Sequence, residues 1–373
     1  MDVIIVGAGL IGLASAYELA GRGASVRVFD AQEPAKAASW AGAGMLAPYT
    51  ESPASAALAA FCEASLAAYP AFVDAVRSNG GADPELHLDG IIESACDESD
   101  AERLREHVYL LRERRVAAHW LNAAQAREYE PSLAQNVIGA SFIEGEGHVD
   151  NRRLGRALRA ACEARGVRIT TDVGTSAIES DNRRVRGLRT AQGFATAPVI
   201  VNATGAWAAA IGGVPERARV PVHPIKGQML ALAMPRALIR RVVWFAGGYA
   251  VPRADGRLLI GATVESAGFD TRVTADGMYS LLAAALRALP SLADLALVET
   301  WAGLRPGSAD GLPFIGATSL EGYYVATGHY RNGILLTPAT AQLVADAIEG
   351  RPVAPYAQAF SPRRAEAAVA GVG

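Results

Sequence analysis

Three glycines placed directly after a run of β-branched residues restrict this chain more than any other feature. Val3-Ile4-Ile5-Val6 is continuously apolar, as a parallel strand buried on both faces requires, and Gly7, Gly9 and Gly12 follow at once. The segment from Leu10 to Ala20 is rich in Ala and Leu, lacks Pro and runs into Gly21 and Gly23, so it is predicted helical with an easy left-handed stop. Ser25-Val26-Arg27-Val28-Phe29 reads as a second strand, and Asp30 ends it, 18 positions after Gly12. This is a β-α-β unit of the dinucleotide-binding type. Gly7 would allow the tight turn, Gly9 would let backbone approach a pyrophosphate, and Gly12 would let the helix pack on the strand. Ala8, Leu10 and Ile11 complete the phosphate loop, where the helix amino terminus offers free N–H groups and a positive dipole end. Asp30 would accept hydrogen bonds from ribose hydroxyls and repel the extra phosphate of NADP. The unit by itself does not separate FAD from NAD.

A chain of 373 residues, 51% hydrophobic, exceeds the usual single core and suggests two intertwined domains. Its 35 basic and 38 acidic residues give a net charge of −3 with no long run of one sign, which argues against a nucleic-acid partner. Arg112, Arg114 and Arg115 cluster in a mixed-charge helical stretch beginning near Glu102 and read as a solvated face. Cys62, Cys96 and Cys162 lack the spacing of a metal site and are odd in number, so reduced thiols are expected. No apolar run approaches the roughly 18 residues that span a bilayer, and a leader has no room before Val3, so a soluble cytoplasmic protein is expected.

Further small-residue segments extend the pattern. Ala38-Ser39-Trp40-Ala41-Gly42-Ala43-Gly44-Met45-Leu46 would let backbone lie close to a flat ligand. Val199-Ile200-Val201-Asn202-Ala203-Thr204-Gly205 and Tyr324-Val325-Ala326-Thr327-Gly328 are two more buried strands ending in glycine; the second continues through His329-Tyr330-Arg331-Asn332 into a helix expected near Gly333. Tyr249 to Ile260 reads as a hairpin around Ala254-Asp255-Gly256. With the small-residue run extended to Ala47-Pro48, and with Pro224-Ile225-Lys226-Gly227-Gln228-Met229, Trp301-Ala302-Gly303-Leu304-Arg305-Pro306 and Gly328 to Leu336, the chain resembles the D-amino-acid-oxidase superfamily of FAD enzymes, and within it the glycine oxidases of thiamine biosynthesis.

That resemblance implies an α/β fold: a doubly wound, Rossmann-like FAD domain built from 1–82, 147–216 and 305–364, interleaved with an α+β substrate domain of 83–146 and 217–304 on a mostly antiparallel sheet. It implies FAD contacts from Ser39, Gly42, Ala43, Gly44, Met45, Val173, Thr204, Gly205, Tyr330, Arg331, Asn332, Gly333 and Ile334, beside the glycine loop and Asp30. Val173 would meet the adenine through its backbone, and a helix amino terminus at Gly333 and Ile334 would face the flavin pyrimidine. Covalent flavin in this superfamily uses a cysteine in the carboxyl-terminal third, whereas the last here is Cys162, so non-covalent FAD is implied. Arg305 would clamp the substrate carboxylate with its planar fork, Tyr249 would share that carboxylate, and Arg331 would close the pocket or position substrate. His329 and His148 are read as structural, and no side chain is needed as general base. The implied reaction is oxidation of glycine or a similarly small amine with oxygen as acceptor, in a homo-oligomer such as a tetramer. A sarcosine or D-amino-acid oxidase, a dehydrogenase of the same superfamily, an FAD-dependent RNA-modifying protein and a structural flavoprotein stay open alongside it.

Overall fold

The computed structural model describes residues 1–53, 55–174, 177–181, 183–234 and 238–365. Strand β1 (Asp2–Val6), helix α1 (Leu10–Gly21) and strand β2 (Ser25–Phe29) form the first unit. β1 lies inside a six-stranded sheet ordered Phe314–Ala317, Tyr323–Thr327, Val199–Asn202, β1, β2, Arg168–Thr170. All neighbours are parallel except the edge pair Phe314–Ala317 and Tyr323–Thr327. Along β1, Val3 and Ile5 enter the core beneath α1 while Ile4 and Val6 enter the core on the other face, which is why the run is apolar without alternation. The strands ending at Gly7, Gly205 and Gly328 are therefore adjacent and parallel, and their carboxyl ends share one side of the sheet. A crevice outside those ends is where open α/β sheets bind ligands.

The second sheet has eight strands, ordered Leu297–Gly307, His223–Ala233, Arg257–Gly261, Gly248–Pro252, Val242–Phe245, Ile91–Ala95, Gly139–Ile143, Ala118–Asn122. Only the pair Val242–Phe245 with Ile91–Ala95 is parallel. Its side chains alternate with period two. Leu230, Leu232, Ala250, Leu258 and Ile260 face a core with the helix Ala275–Ala288, while Met229, Ala231, Tyr249, Val251 and Leu259 face the opposite way, onto Ala41, Ala43 and Ala47. The hairpin expected around Asp255 is present, and its register sends Tyr249 toward the small-residue segment.

Two expectations are corrected. The helix Ala56–Gly80 is 25 residues long, with a mean hydropathy of 1.5 over its most apolar 18-residue window, so one apolar stretch does reach membrane-spanning length and composition. It was missed because alanine, rather than Leu or Val, carries the run. In the fold it packs against Asn151–Ala164 and Thr337–Glu349, burying Leu58, Phe61, Cys62, Ser65, Tyr69, Val73 and Val76 on one face. The mixed-charge helix starts at Glu98 rather than Glu102, because Asp97 caps it by accepting the Asp100 N–H at 2.9 Å. All three cysteines are unpaired; Cys62 and Cys162 are buried and Cys96 is partly so. Burial pushes the Cys162 thiol up to about 12 and the Cys62 thiol up as well.

Gly12 sets how closely α1 approaches β1, since a Cβ there would stand 1.9 Å from the Gly7 carbonyl oxygen. Gly12→Ala is expected to destabilise the protein by at least about 1 to 3 kcal/mol, the usual cost of overpacking, because the atom it strikes is backbone. Urea unfolding followed by circular dichroism checks this, and an unchanged midpoint would refute the close-packing account.

Candidate active site

A cavity of about 920 Å³ lies outside the carboxyl ends of the parallel strands, between the two sheets. Of the residues expected to hold a cofactor, Gly7, Gly9, Leu10, Ile11, Asp30, Ser39, Gly42, Ala43, Gly44, Met45, Thr204, Gly205, Tyr330, Arg331, Gly333 and Ile334 line it, together with Tyr249 and Arg305. Ala8, Gly12, Val173 and Asn332 stand behind the wall. Ala8 donates its N–H to Asp30 Oδ2 at 2.5 Å, and Gln32 donates to Oδ1 at 2.9 Å, so two backbone donors hold the carboxylate that burial pushes toward protonation. Val173 donates its N–H to Asp30 O and accepts from Ala191 N, both at 3.2 Å. Its backbone is thus engaged within the protein, and its neighbour Gly174 lines the cavity instead. The Asn332 N–H bonds His329 O at 2.9 Å, which turns the residue into the loop's own scaffold.

These features fit FAD. The amino terminus of α1 has no side-chain cap at Gly9 and no acid in its first turn; Ser39 Oγ accepts the Leu10 N–H at 2.9 Å. A helix end left without a counter-charge beside a cavity is an anion site, suited to a pyrophosphate. Across the cavity, a Cβ on Gly42 would meet Ile334 Cδ1 at 2.7 Å, so glycine there keeps the small-residue loop and the carboxyl-terminal segment in contact.

The expected helix start at Gly333 is corrected. Tyr330–Asn332 is a short 3₁₀ turn, and the helix begins at Thr337. Pro338 supplies no N–H to the carbonyl of Ile334, which accepts from Tyr69 OH at 2.8 Å and from the Thr337 N–H at 3.2 Å, while Leu335 O accepts from Ser65 Oγ at 2.7 Å. Gly333 and Ile334 still line the cavity, as a turn anchored from behind by the helix Ala56–Gly80.

Away from the glycine loop, Arg305, Tyr249, Arg331 and Glu51 line the same cavity. Arg305, on the strand Leu297–Gly307, reaches diagonally across to the neighbouring strand, where Gly227 makes room: a Cβ there would sit 2.2 Å from Arg305 Nη1. Nη1 donates to Thr263 O at 3.0 Å and Lys226 O at 3.3 Å. Burial raises the Tyr249 phenol's pKa against the pull of the nearby Arg305 guanidinium, so it stays protonated. Its ring lies 5.5 Å from that of Trp244, and the guanidinium of Arg331 lies 5.8 Å from the Trp244 ring centroid. Arg331 Nε stands 3.5 Å from Glu51 Oε2. His329 lines the cavity but burial pushes its pKa down to about 3, leaving a neutral ring whose Nε2 meets Thr340 Oγ1 at 3.1 Å. His148 is buried away from the cavity and stacks on His87, with ring centroids 5.1 Å apart.

Sequence reasoning missed Glu51, Trp244 and Glu146. Glu51 is the first acid after the small-residue run, just ahead of the apolar helix, which was the available signal. Glu146 positions it from beneath. Its buried carboxylate accepts the N–H groups of Tyr49 at 2.6 Å and Thr50 at 3.0 Å, and the Thr50 hydroxyl. Burial pushes the Glu146 carboxyl up to about 7 against those hydrogen bonds, and the nearby Glu51 carboxylate adds to the rise. A carboxyl whose folded-state pKa is raised stabilises the fold most below the unfolded value, near 4.5, and loses that contribution as pH climbs through 7. Glu146→Gln should therefore gain stability relative to the natural protein across pH 4.5 to 7, by up to about 3 kcal/mol at 1.36 kcal/mol per unit. Urea melts of both proteins at several pH values test this; a difference that stays flat across the window would refute it.

Residues 2–347 match the family described as FAD dependent oxidoreductase. The glycine oxidase of Pseudomonas aeruginosa is 36% identical over 365 residues, covering 96% of this chain and 98% of the relative. The bifunctional protein ThiO/ThiG of Synechocystis sp. is 37% identical over 369 residues, and the chain spans about half of it, 54%. The crystal structure of glycine oxidase from Geobacillus kaustophilus superposes with a TM-score of 0.91 at 37% identity, covering 96% of this chain and 97% of that one. A glycine-turned nucleotide crevice and a matched family along nearly the whole chain point the same way: this protein belongs to the FAD dependent oxidoreductase family and is an FAD enzyme.

Proposed function

We propose that the protein oxidises glycine or a similarly small amine, with oxygen as the final acceptor, and that it works in the cytoplasm as a homo-oligomer feeding thiazole formation for thiamine. The observation that carries this is the placement of Tyr249 beside the Arg305 guanidinium on the wall of the FAD-family cavity. Relatives named glycine oxidase that match the chain nearly end to end support the choice of substrate.

Bound FAD would supply a two-electron acceptor for the hydride of the substrate α-carbon and a route for that electron pair to oxygen, giving hydrogen peroxide. Ser39, the amino-terminal turn of α1 and Asp30 would hold its phosphates and ribose, without a covalent bond, since none of the three cysteines lines the cavity. Arg305 would receive the substrate carboxylate on its planar fork, and the protonated Tyr249 hydroxyl would donate to the same group. His329 is neutral and bonded to Thr340, so the site supplies no base of ordinary strength there. The substrate enters with its amine neutral. Loss of hydride leaves the iminium of glyoxylate, and water releases glyoxylate and ammonium. Met229, Trp244, Tyr249 and Ala262 wall the cavity beside the clamp and restrict what the α-carbon can carry.

Two outcomes are expected. Protein whose acid-released yellow colour is FAD, mixed anaerobically with glycine, should bleach, and under air peroxide should form with glycine, sarcosine or D-alanine far faster than with D-phenylalanine. D-phenylalanine as the fastest substrate would overturn the small-pocket reading, and bleaching without peroxide would replace the oxidase by a dehydrogenase. Arg305→Ala should raise the KM for glycine by roughly thirtyfold to several thousandfold, matching about 2 to 5 kcal/mol for a severed buried charge pair. A folded, flavin-loaded variant with unchanged KM would remove Arg305 from the clamp.

A further inference from the structure

One charged group on the cavity wall has no part in that chemistry. Glu51 keeps only 12% of its side chain exposed, and its Oε2 stands 3.5 Å from Arg331 Nε. The segment carrying it is fixed rather than free: Glu146 holds the N–H groups of Tyr49 and Thr50, and the Glu51 N–H itself bonds Ala47 O at 3.1 Å. Arg305 differs from Arg331. It donates to two carbonyls and meets no carboxylate at ion-pair distance among the described residues. This part of the wall thus holds two guanidinium groups and one carboxylate, and only one cation is left for an incoming anion.

We propose that Glu51 restricts the site to amines bearing a single carboxylate, by serving as the built-in partner of Arg331. The proposal rests on the reading of Arg305 as the substrate clamp. A first carboxylate pairs with Arg305 and completes the charge balance. A second carboxylate on the same substrate has to lie beside Glu51 or displace it from Arg331, and like charges placed together in a desolvated site are repelled strongly. The segment cannot swing aside, because Glu146 grips the two residues before it. Glu51 is a specificity residue in this account, because the reacting atoms do not need it. Replacing it with glutamine keeps the shape and removes the charge, so Arg331 becomes a second anion receptor.

Two pairs of small molecules isolate the effect. Sarcosine and iminodiacetate are both secondary amines of glycine, and they differ by a methyl group against a carboxymethyl group. Butyrate and glutarate are the same two frames with methylene in place of N–H, so they bind without being oxidised. In Glu51→Gln, kcat/KM for iminodiacetate relative to sarcosine, and calorimetric affinity for glutarate relative to butyrate, should each rise at least about tenfold over the natural holoenzyme. Adding Arg331→Met to that variant should abolish both gains. Unchanged ratios in folded, flavin-loaded Glu51→Gln, or gains that survive the loss of Arg331, would overturn the proposal. If no amine reduces the flavin, the amine-oxidase reading fails, while the glutarate to butyrate ratio still decides the role of Glu51.

Discussion

The contact between Gly12 and the Gly7 carbonyl underlies the rest of the structure. Because neither residue has a Cβ, α1 starts directly over the end of β1, and its amino terminus, with no acid in the first turn, opens into the cavity. The neighbouring parallel strands then bring Ala203-Thr204-Gly205 and the segment after Thr327 to the same side. A side chain at Gly12 would lift the helix from the strand, and the anion site and the crevice beside it would lose their shared geometry.

The second sheet solves a different problem, that of delivering polar groups into an apolar space. Tyr249 and Arg305 come from separate strands of an antiparallel sheet whose alternation sends one row of residues to the helix side and the other to the cavity. Arg305 crosses to the adjacent strand only because Gly227 leaves a gap. Its guanidinium is thereby fixed by Lys226 and Thr263 carbonyls before any substrate arrives, and preorganised charge of this kind costs little further ordering on binding.

Much of this was legible in the sequence where a local rule decides the outcome. The β-α-β unit, the strands ending at Gly205 and Gly328 and the hairpin at Asp255 each follow from glycine placement and period. The start of the last helix was not legible, since whether Gly333 or Thr337 opens it depends on how the carbonyls of Ile334 and Leu335 are satisfied, and their side-chain partners, Tyr69 and Ser65, lie far away in the chain. The length of Ala56–Gly80 was hidden because alanine is weakly apolar residue by residue and counts only in sum. Glu146 was invisible for a related reason, and the position of Glu51 after the small-residue run gave only a faint signal: a carboxylate's role here is set by what surrounds it in space.

The burial of the thiols bears on how long such an enzyme would last. An oxidase of the kind proposed sheds hydrogen peroxide at every turnover, and peroxide attacks thiolates rather than thiols. Cys62 and Cys162 are sealed in the core with their ionisation suppressed, Cys162 giving its S–H to Leu13 O at 3.2 Å. Both are therefore poor targets for the protein's own product, and oxidative wear would fall first on Cys96, the one thiol that solvent partly reaches.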